Sequence, residues 1–367
     1  MQIFKDFSLQ QHGNDVFLGK RMFAMLVRRH VAANREIPMV LPAFPSKSLN
    51  TRDKVLGPMP DLGEQLSLDR LNDLCRHIGH IYKPGAHIVI ATDGACYNDL
   101  IGITDEDLFE YGRILRKMAA DKGYHCIQFA RIMNLLGLHS DENITKQHFV
   151  NLLDASRKAL IVRFGRKDFD VSDCIKNDPD YKMTYGGYAK FLKKDLALSP
   201  VAEKATSTKK FKAMIHEIAK AMIVRGVAFS AMLKEKFPEH IRLSIHPSTG
   251  LTKISMPLIP QPDSVSMTPW HCAVAVDVKG NFKTAHAEDL REDYDVAYKD
   301  GRPYCFRERS SLYNWDAKVE FDYLYGRGLL VRNAGGPEQT SDSLSAGDRD
   351  KMATLLTLQG KVVMEGF

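Results

Sequence analysis

Nine residues, AHIVIATDG from Ala86 to Gly94, restrict the fold of this chain more than any other stretch. Ile88, Val89, Ile90 and Ala91 run apolar without alternation, the pattern of a strand buried on both faces. Such a strand belongs in a parallel sheet covered by helices on each side, and parallel neighbours must be joined by crossovers. The flanking sequence supplies them. Upstream, Leu68, Leu71, Leu74, Cys75, Ile78 and Tyr82 recur with a 3.6-residue period, closed by Lys83-Pro84-Gly85. Downstream, Thr104 with Asp107 forms a helix-start pattern ahead of Leu108, Tyr111, Leu115 and Met118, and Gly123 stops that helix. Tyr124 to Ala130 then reads as a second strand, completing a βαβ unit.

The rest of the chain falls around this unit. Residues 1–40 read as a helical lead-in, with Val16, Phe17, Met22, Phe23, Leu26 and Val27 as a loose stripe. Ile144 to Leu160 is helical, residues 165–185 are polar and broken, and Lys209 to Phe237 is a long amphipathic helix interrupted at Gly226. After Pro238 short strands and turns take over: Ile241 to His246, a partner strand at Lys253 to Met256, then Cys272 to Val278 and Val319 to Val331. Residues 333–350 have linker composition, and 351–367 resume an apolar pattern. The expected class is α/β, with a largely parallel core and a more antiparallel C-terminal portion.

Composition narrows the function. The net charge of +6 favours an anionic ligand such as a phosphorylated metabolite, while no basic run interleaved with aromatics points to nucleic acid. No apolar run approaches the roughly 18 residues of a membrane span. The N-terminus lacks the charged head and apolar core of a secretory signal. The six cysteines are scattered without CxxC spacing, which fits a reducing, cytoplasmic setting and neither a disulfide framework nor a thiolate zinc site. P-loop, GxGxxG, GxSxG and HExxH patterns are absent from the sequence.

Three places carry groups suited to chemistry. The stretch LPAFPSKSLNTRDKVLG, Leu41 to Gly57, is denied a helix by Pro42 and Pro45 and reads as an extended loop presenting Ser46, Lys47, Ser48, Asn50, Arg52 and Lys54. On residue types alone it reads first as a solvated basic connector. The corner after the buried strand offers Asp93, Tyr97 and Asp99 where ligands of open α/β sheets sit. The alternating strand puts Arg242, Ser244 and His246 on one face, with Lys253 on the partner strand and Trp270-His271 beyond. Metal readings are thinner: His77 with His80, His139-Ser140-Asp141 as half of an iron facial triad, and His286-Ala287-Glu288 each lack a local third ligand.

LPAFPSKS…N…KVLG followed by PD, then PGAHIVIATDGACYND, IRLSIHPS…KI and TPWH, resemble the isocyanide (isonitrile) synthase family, also called the pyoverdine/dityrosine biosynthesis family. The resemblance spans roughly residues 35–331. It implies a Rossmann-like α/β core and a metal-free enzyme without a cofactor, whose partners are an amino acid and ribulose 5-phosphate as co-substrate. The family's chemistry converts the α-amine to an isonitrile, drawing its carbon from C2 of the sugar, and some relatives stop at the N-formyl amino acid. The implied catalytic set is Lys47, Asp93, His246 and His271. The implied binding set is Ser46, Ser48, Asn50, Lys54, Tyr97, Asp99, Arg242, Ser244 and Lys253, with Arg131, Arg157 or Arg163 as further candidates for a carboxylate. A non-catalytic sugar-phosphate or amino-acid binding module is the competing expectation. The last residues resemble the opening of a taurine-dioxygenase-like oxygenase, so iron and 2-oxoglutarate enter only with such a fused or partner domain.

Overall fold

A computed structural model describes residues 1–8, 18–141, 143–246, 250–260, 267–277 and 280–309, and the backbone of 319–324 and 328–333. The expected linker beyond Asn333 and the oxygenase-like tail at 351–367 lie outside the described residues, as do Val16 and Phe17.

Five strands form a wholly parallel sheet: β1 (Ile37–Ala43), β2 (Ala86–Thr92), β3 (Ile127–Ala130), β4 (Ile241–Ser244) and β5 (Ile254–Ser255), in the order β3-β2-β1-β4-β5. The order reverses direction at β1, so a crevice opens beside its carboxyl end, between the loops that leave β1 and β4. The helices are α1 (Gln2–Phe7), α2 (Lys20–Ala32), α3 (Leu62–Ile81), α4 (Asn98–Ile101), α5 (Asp105–Asp121), α6 (Ile132–Leu135), α7 (Lys146–Phe164), α8 (Val171–Asn177), α9 (Pro179–Asp195), α10 (Pro200–Glu203), α11 (Thr208–Lys236) and α12 (Ala287–Leu290). Met39, Leu41, Ile88, Ile90, Ile241 and Leu243 pack on one side against Phe23, Leu71 and Leu115 from α2, α3 and α5. Val40, Val89 and Ala91 pack on the other against Leu153, Met222 and Phe229 from α7 and α11. Both faces are buried, as the apolar run of β2 requires.

A second, mixed sheet orders β6 (Ala273–Val276), β7 (Phe282–Ala285), β8 (Tyr294–Lys299) and β9 (Arg302–Glu308) as β7-β6-β9-β8, with only β6 and β9 parallel. It packs on the start of α3 through Leu62, Leu66, Val274, Val276 and Tyr304. A separate antiparallel pair joins β10 (Val319–Leu324) to β11 (Gly328–Asn333).

Three local expectations are corrected. The helical lead-in ends before residue 40, because Ile37 to Val40 already belong to β1, which also takes Leu41 to Ala43 from the expected loop. Two prolines in a central strand hid it. Ile37 N–H donates to Gly85 O on the β2 side, so with a two-residue period Pro38 and Pro42 turn their missing donors toward β4. There the ladder pairs only Met39 and Val40 with Ile241 and Arg242, so no hydrogen bond is forfeited. Residues 165–185 are not broken throughout: α8 and the start of α9 lie there, with Tyr185, Tyr188 and Phe191 packed toward the core. Finally, α11 runs through Gly226 without a break. A Cβ at Gly226 would stand 3.1 Å from the Tyr97 hydroxyl, so this glycine makes room for that side chain.

Candidate active site

The chain leaves β1 through a strained turn. Phe44 and Ser46 both take positive φ, 61° and 146°, which a side chain disfavours unless its surroundings impose it. Here they do. Phe44 meets the buried Trp270 ring edge-on at 5.5 Å. Pro45 lies against the corner after β2 so closely that a Cβ on Gly94 would fall 2.0 Å from Pro45 O, and only glycine fits. Ser48 N–H donates to Trp270 O at 3.0 Å. The turns after β1 and β2 and the segment ahead of β6 are thus locked together.

Lys47 and Lys54, expected to offer donors to an anion, are both committed to carboxylates. Lys47 is 2% exposed, and its ammonium sits 2.6 Å from Asp61 Oδ2, 3.0 Å from Glu64 Oε2 and 3.0 Å from Pro269 O. Asp61 and Glu64 form the capping box of α3, so the lysine plugs into a helix start. Glu64 also accepts the Tyr111 hydroxyl at 3.1 Å. One cation serves two buried carboxylates: burial pushes the Asp61 carboxyl above its ordinary range, and Lys47 and its hydrogen bonds only partly offset this. Lys54 pairs with Asp195, the last residue of α9, and comes within 3.3 Å of His271 Nδ1. Ser48 Oγ donates to Asp195 Oδ1 at 2.7 Å, and His271 Nδ1 is 3.2 Å from Asp195 Oδ2. Asn50 ties the loop to the end of α9 through Lys194 O at 2.9 Å and holds Asp53. Burial alone would raise the Asp195 carboxyl, but His271 and Lys54 bring it down to about 2.

The groups left open lie across the crevice. Asp93 Oδ1 is buried with no hydrogen-bond partner among the described residues. Desolvation lifts its carboxyl to about 7, and Arg242 is too far off to form an ion pair but close enough to oppose the rise. Arg242 itself makes no ion pair among the described residues, and burial, partly offset by Asp93 and Tyr97, lowers it to about 10. Two phenols, the buried Tyr97 after β2 and the half-buried Tyr188 on α9, feel the Asp93 charge and are pushed up, by desolvation first. His246 is exposed at the rim, with Lys253 and His271 close enough for their charges to disfavour its imidazolium. Ser244 and Ser255 hold the backbone of His246 rather than facing a ligand, with Ser255 Oγ donating to His246 O at 2.8 Å.

Other expected residues lie elsewhere. Asp99 is paired twice with Arg225, at 2.5 and 2.9 Å, at the edge of α11. Arg157 is consumed by Asn98, Asp105 and Asp154, and Arg163 by Leu136 O. Arg131 lines a small cavity with Phe44, Gly94, Phe109 and Phe149, on the other side of the Gly94 corner. His77 bonds Asp73 O, His139 stacks near His148, and His286 meets Lys194 at 2.9 Å; among the described residues no group of three His, Cys, Asp or Glu could hold a metal ion. No described helix is long and apolar enough to cross a membrane. The sequence reading missed Asp61, Glu64, Tyr188 and Asp195. The Asp61-x-x-Glu64 spacing ahead of an apolar run was a visible signal for the first two, whereas a single acid in a lysine-rich helix gives none for Asp195.

Comparison with known proteins accords with this geometry. The family model for "pyoverdine/dityrosine biosynthesis protein" matches residues 27–297, which contain every site motif above. The chain is 42% identical over 95% of its length to isocyanide synthase xanB of Aspergillus fumigatus, and spans 47% of that protein, about half its length. It is 34% identical to L-tryptophan isonitrile synthase AmbI2 of Fischerella ambigua, over 72% of this chain and 76% of that one. The crystal structure of PvcA from Pseudomonas aeruginosa superposes with a TM-score of 0.73 at 26% identity, covering 84% of this chain and 99% of PvcA. This chain belongs to the pyoverdine/dityrosine biosynthesis protein family.

Proposed function

We propose that the chain forms an isonitrile from the α-amino group of an L-amino acid, with C2 of ribulose 5-phosphate as carbon donor. The relatives named isocyanide and isonitrile synthases support the reaction class. The observation that carries it to this site is the opposition of Asp93, after β2, whose Oδ1 is buried, and the half-buried Arg242 of β4, neither of them ion-paired among the described residues. Leaving both unmet costs stability unless a ligand meets them. A zwitterionic amino acid does so: its carboxylate lies on the Arg242 guanidinium and its ammonium on Asp93.

Asp93, poised near neutrality, then takes a proton from the ammonium and leaves a neutral amine. That amine attacks the ketone carbon, and loss of water gives an imine. Subsequent proton abstractions and carbon–carbon cleavages discard the rest of the sugar. Lys47 and Lys54 are committed to carboxylates and do not serve the sugar phosphate. Incubating the protein with each amino acid and ribulose 5-phosphate carrying carbon-13 at C2 tests this by mass spectrometry. A labelled isonitrile is expected. A labelled N-formyl amino acid would overturn the product, and no labelled product from any amino acid would overturn the activity.

A further inference from the structure

We infer that Asp195, at the end of α9, is the positioning residue of an Asp–His dyad that sets His271 as a base with its Nε2 turned to the substrate crevice. The inference rests on the activity proposed above and adds a residue from α9 to it.

The tautomer follows from the contacts. Asp195 Oδ1 already receives Ser48 Oγ–H and the Lys54 ammonium, while Oδ2 faces His271 Nδ1 at 3.2 Å. The Lys54 ammonium also stands 3.3 Å from Nδ1, but its closer contact is to Asp195 Oδ1, so a bare Nδ1 would still set its lone pair against those of Oδ2 across the shorter gap. An Nδ1–H instead donates to the carboxylate, which leaves Nε2 as the acceptor. His271 Nε2 makes no hydrogen bond among the described residues, and the side chain keeps 28% of its surface, enough for a substrate proton to reach it. The ring is held from its other side by Phe191, whose centroid is 4.9 Å away, and the His271 backbone N–H donates to Thr268 O at 3.0 Å.

Asp195 is placed against local stability. An acid on the last turn of a helix faces the negative pole of the helix dipole, and this one is also buried. His271 and Lys54 offset both costs and keep the carboxylate ionised at every working pH. The charged and titratable groups around the His271 ring are Asp195 from α9, Lys54 from the turn after β1, and His246 from the turn after β4, with Lys253 behind it. Only Asp195 stabilises an imidazolium. A proton taken from a substrate N–H or C–H bond leaves its electron pair on the substrate and rests on Nε2, balanced by the carboxylate, until it is returned.

Nitrogen-15 shifts of His271 in the wild-type protein read the tautomer without substrate. Nδ1–H with bare Nε2 is expected, and Nε2–H overturns the dyad whether or not any variant folds. Asp195→Asn is expected to lower kcat about 10²–10⁴-fold with little change in KM, and to move the acid limb of the pH–rate profile to lower pH. Asp195→Glu should restore part of the rate. An unchanged kcat or an unmoved limb in a folded Asp195→Asn overturns the inference. A wild-type protein that yields no isonitrile overturns the activity alone, because the His271 tautomer in the wild-type protein is still read by NMR.

Discussion

Lys47 gives the sharpest test of the architecture, because its sequence reading and its structure demand different outcomes. A lysine that served only to contact a substrate phosphate could be removed with loss of turnover and no loss of fold. The structure places it instead in a dry cluster with Asp61 and Glu64 at the start of α3, so Lys47→Met strands two buried carboxylates. Breaking a buried pair from one side costs about 3–5 kcal/mol. At about 2 °C per kcal/mol for a chain of this size, melting should fall by roughly 6–10 °C at neutral pH. The pH dependence identifies the cause. A carboxyl whose folded pKa is raised, as that of Asp61 is, destabilises the fold above that value and stops doing so as protons return toward its ordinary range. Losing Lys47 raises it further, so the deficit against wild type should shrink between neutral pH and about pH 5. Adding Asp61→Asn, which keeps an acceptor for the Gly63 N–H, should recover most of the lost stability. Thermal unfolding by circular dichroism at both pH values reads all of this. A Lys47→Met protein as stable as wild type at both, yet inactive, refutes the buried-cluster argument.

Other perturbations probe the remaining walls. Gly94→Ala forces Pro45 away from the β2 corner and should cost about 1–3 kcal/mol in a urea titration, with turnover falling as Asp93 shifts. Asp93→Asn should raise melting at about pH 8, since the wild-type carboxylate is ionised there against its desolvation, while turnover drops about 10²-fold or more. Asp99→Asn breaks a rim pair with Arg225, and its stability should change by less than about 1 kcal/mol.

What the sequence discloses and what it withholds divide along a physical line. Patterns that are local, such as the apolar run of β2, the Thr104 cap and the alternation of Ile241, Leu243 and Ile245, were legible and appear in the fold. The β1 strand was hidden by prolines whose cost depends on which neighbour they face, and that is a property of the sheet. Helix α9 was hidden because lysines and the Gly186-Gly187 pair dilute an apolar face that only shows once Tyr188 and Phe191 meet the core. The roles of the lysines were hidden for the same reason. A sequence shows donors, but their acceptors, Asp61 and Asp195, lie 14 and 141 residues away.

The loop from Ala43 to Gly57 therefore acts less as a wall of donors than as a brace. Lys47 fixes one end to the start of α3, and Lys54, Ser48 and Asn50 fix the other to the end of α9. Just ahead of these anchors the strained Phe44 meets the Trp270 ring, Ser48 N–H holds Trp270 O, and Trp270 precedes His271 in the chain. Lys47 and Lys54 on the loop thus spend their charge on carboxylates, whereas Arg242 on β4 makes no ion pair among the described residues and is the cation that our proposal gives to the substrate carboxylate. Lys47 and Lys54 can be buried in a basic loop because Asp61, Glu64 and Asp195 neutralise them locally, while Arg52 stays exposed, and the contacts of Lys54 and Asp195 with His271 brace the loop against the segment that carries it.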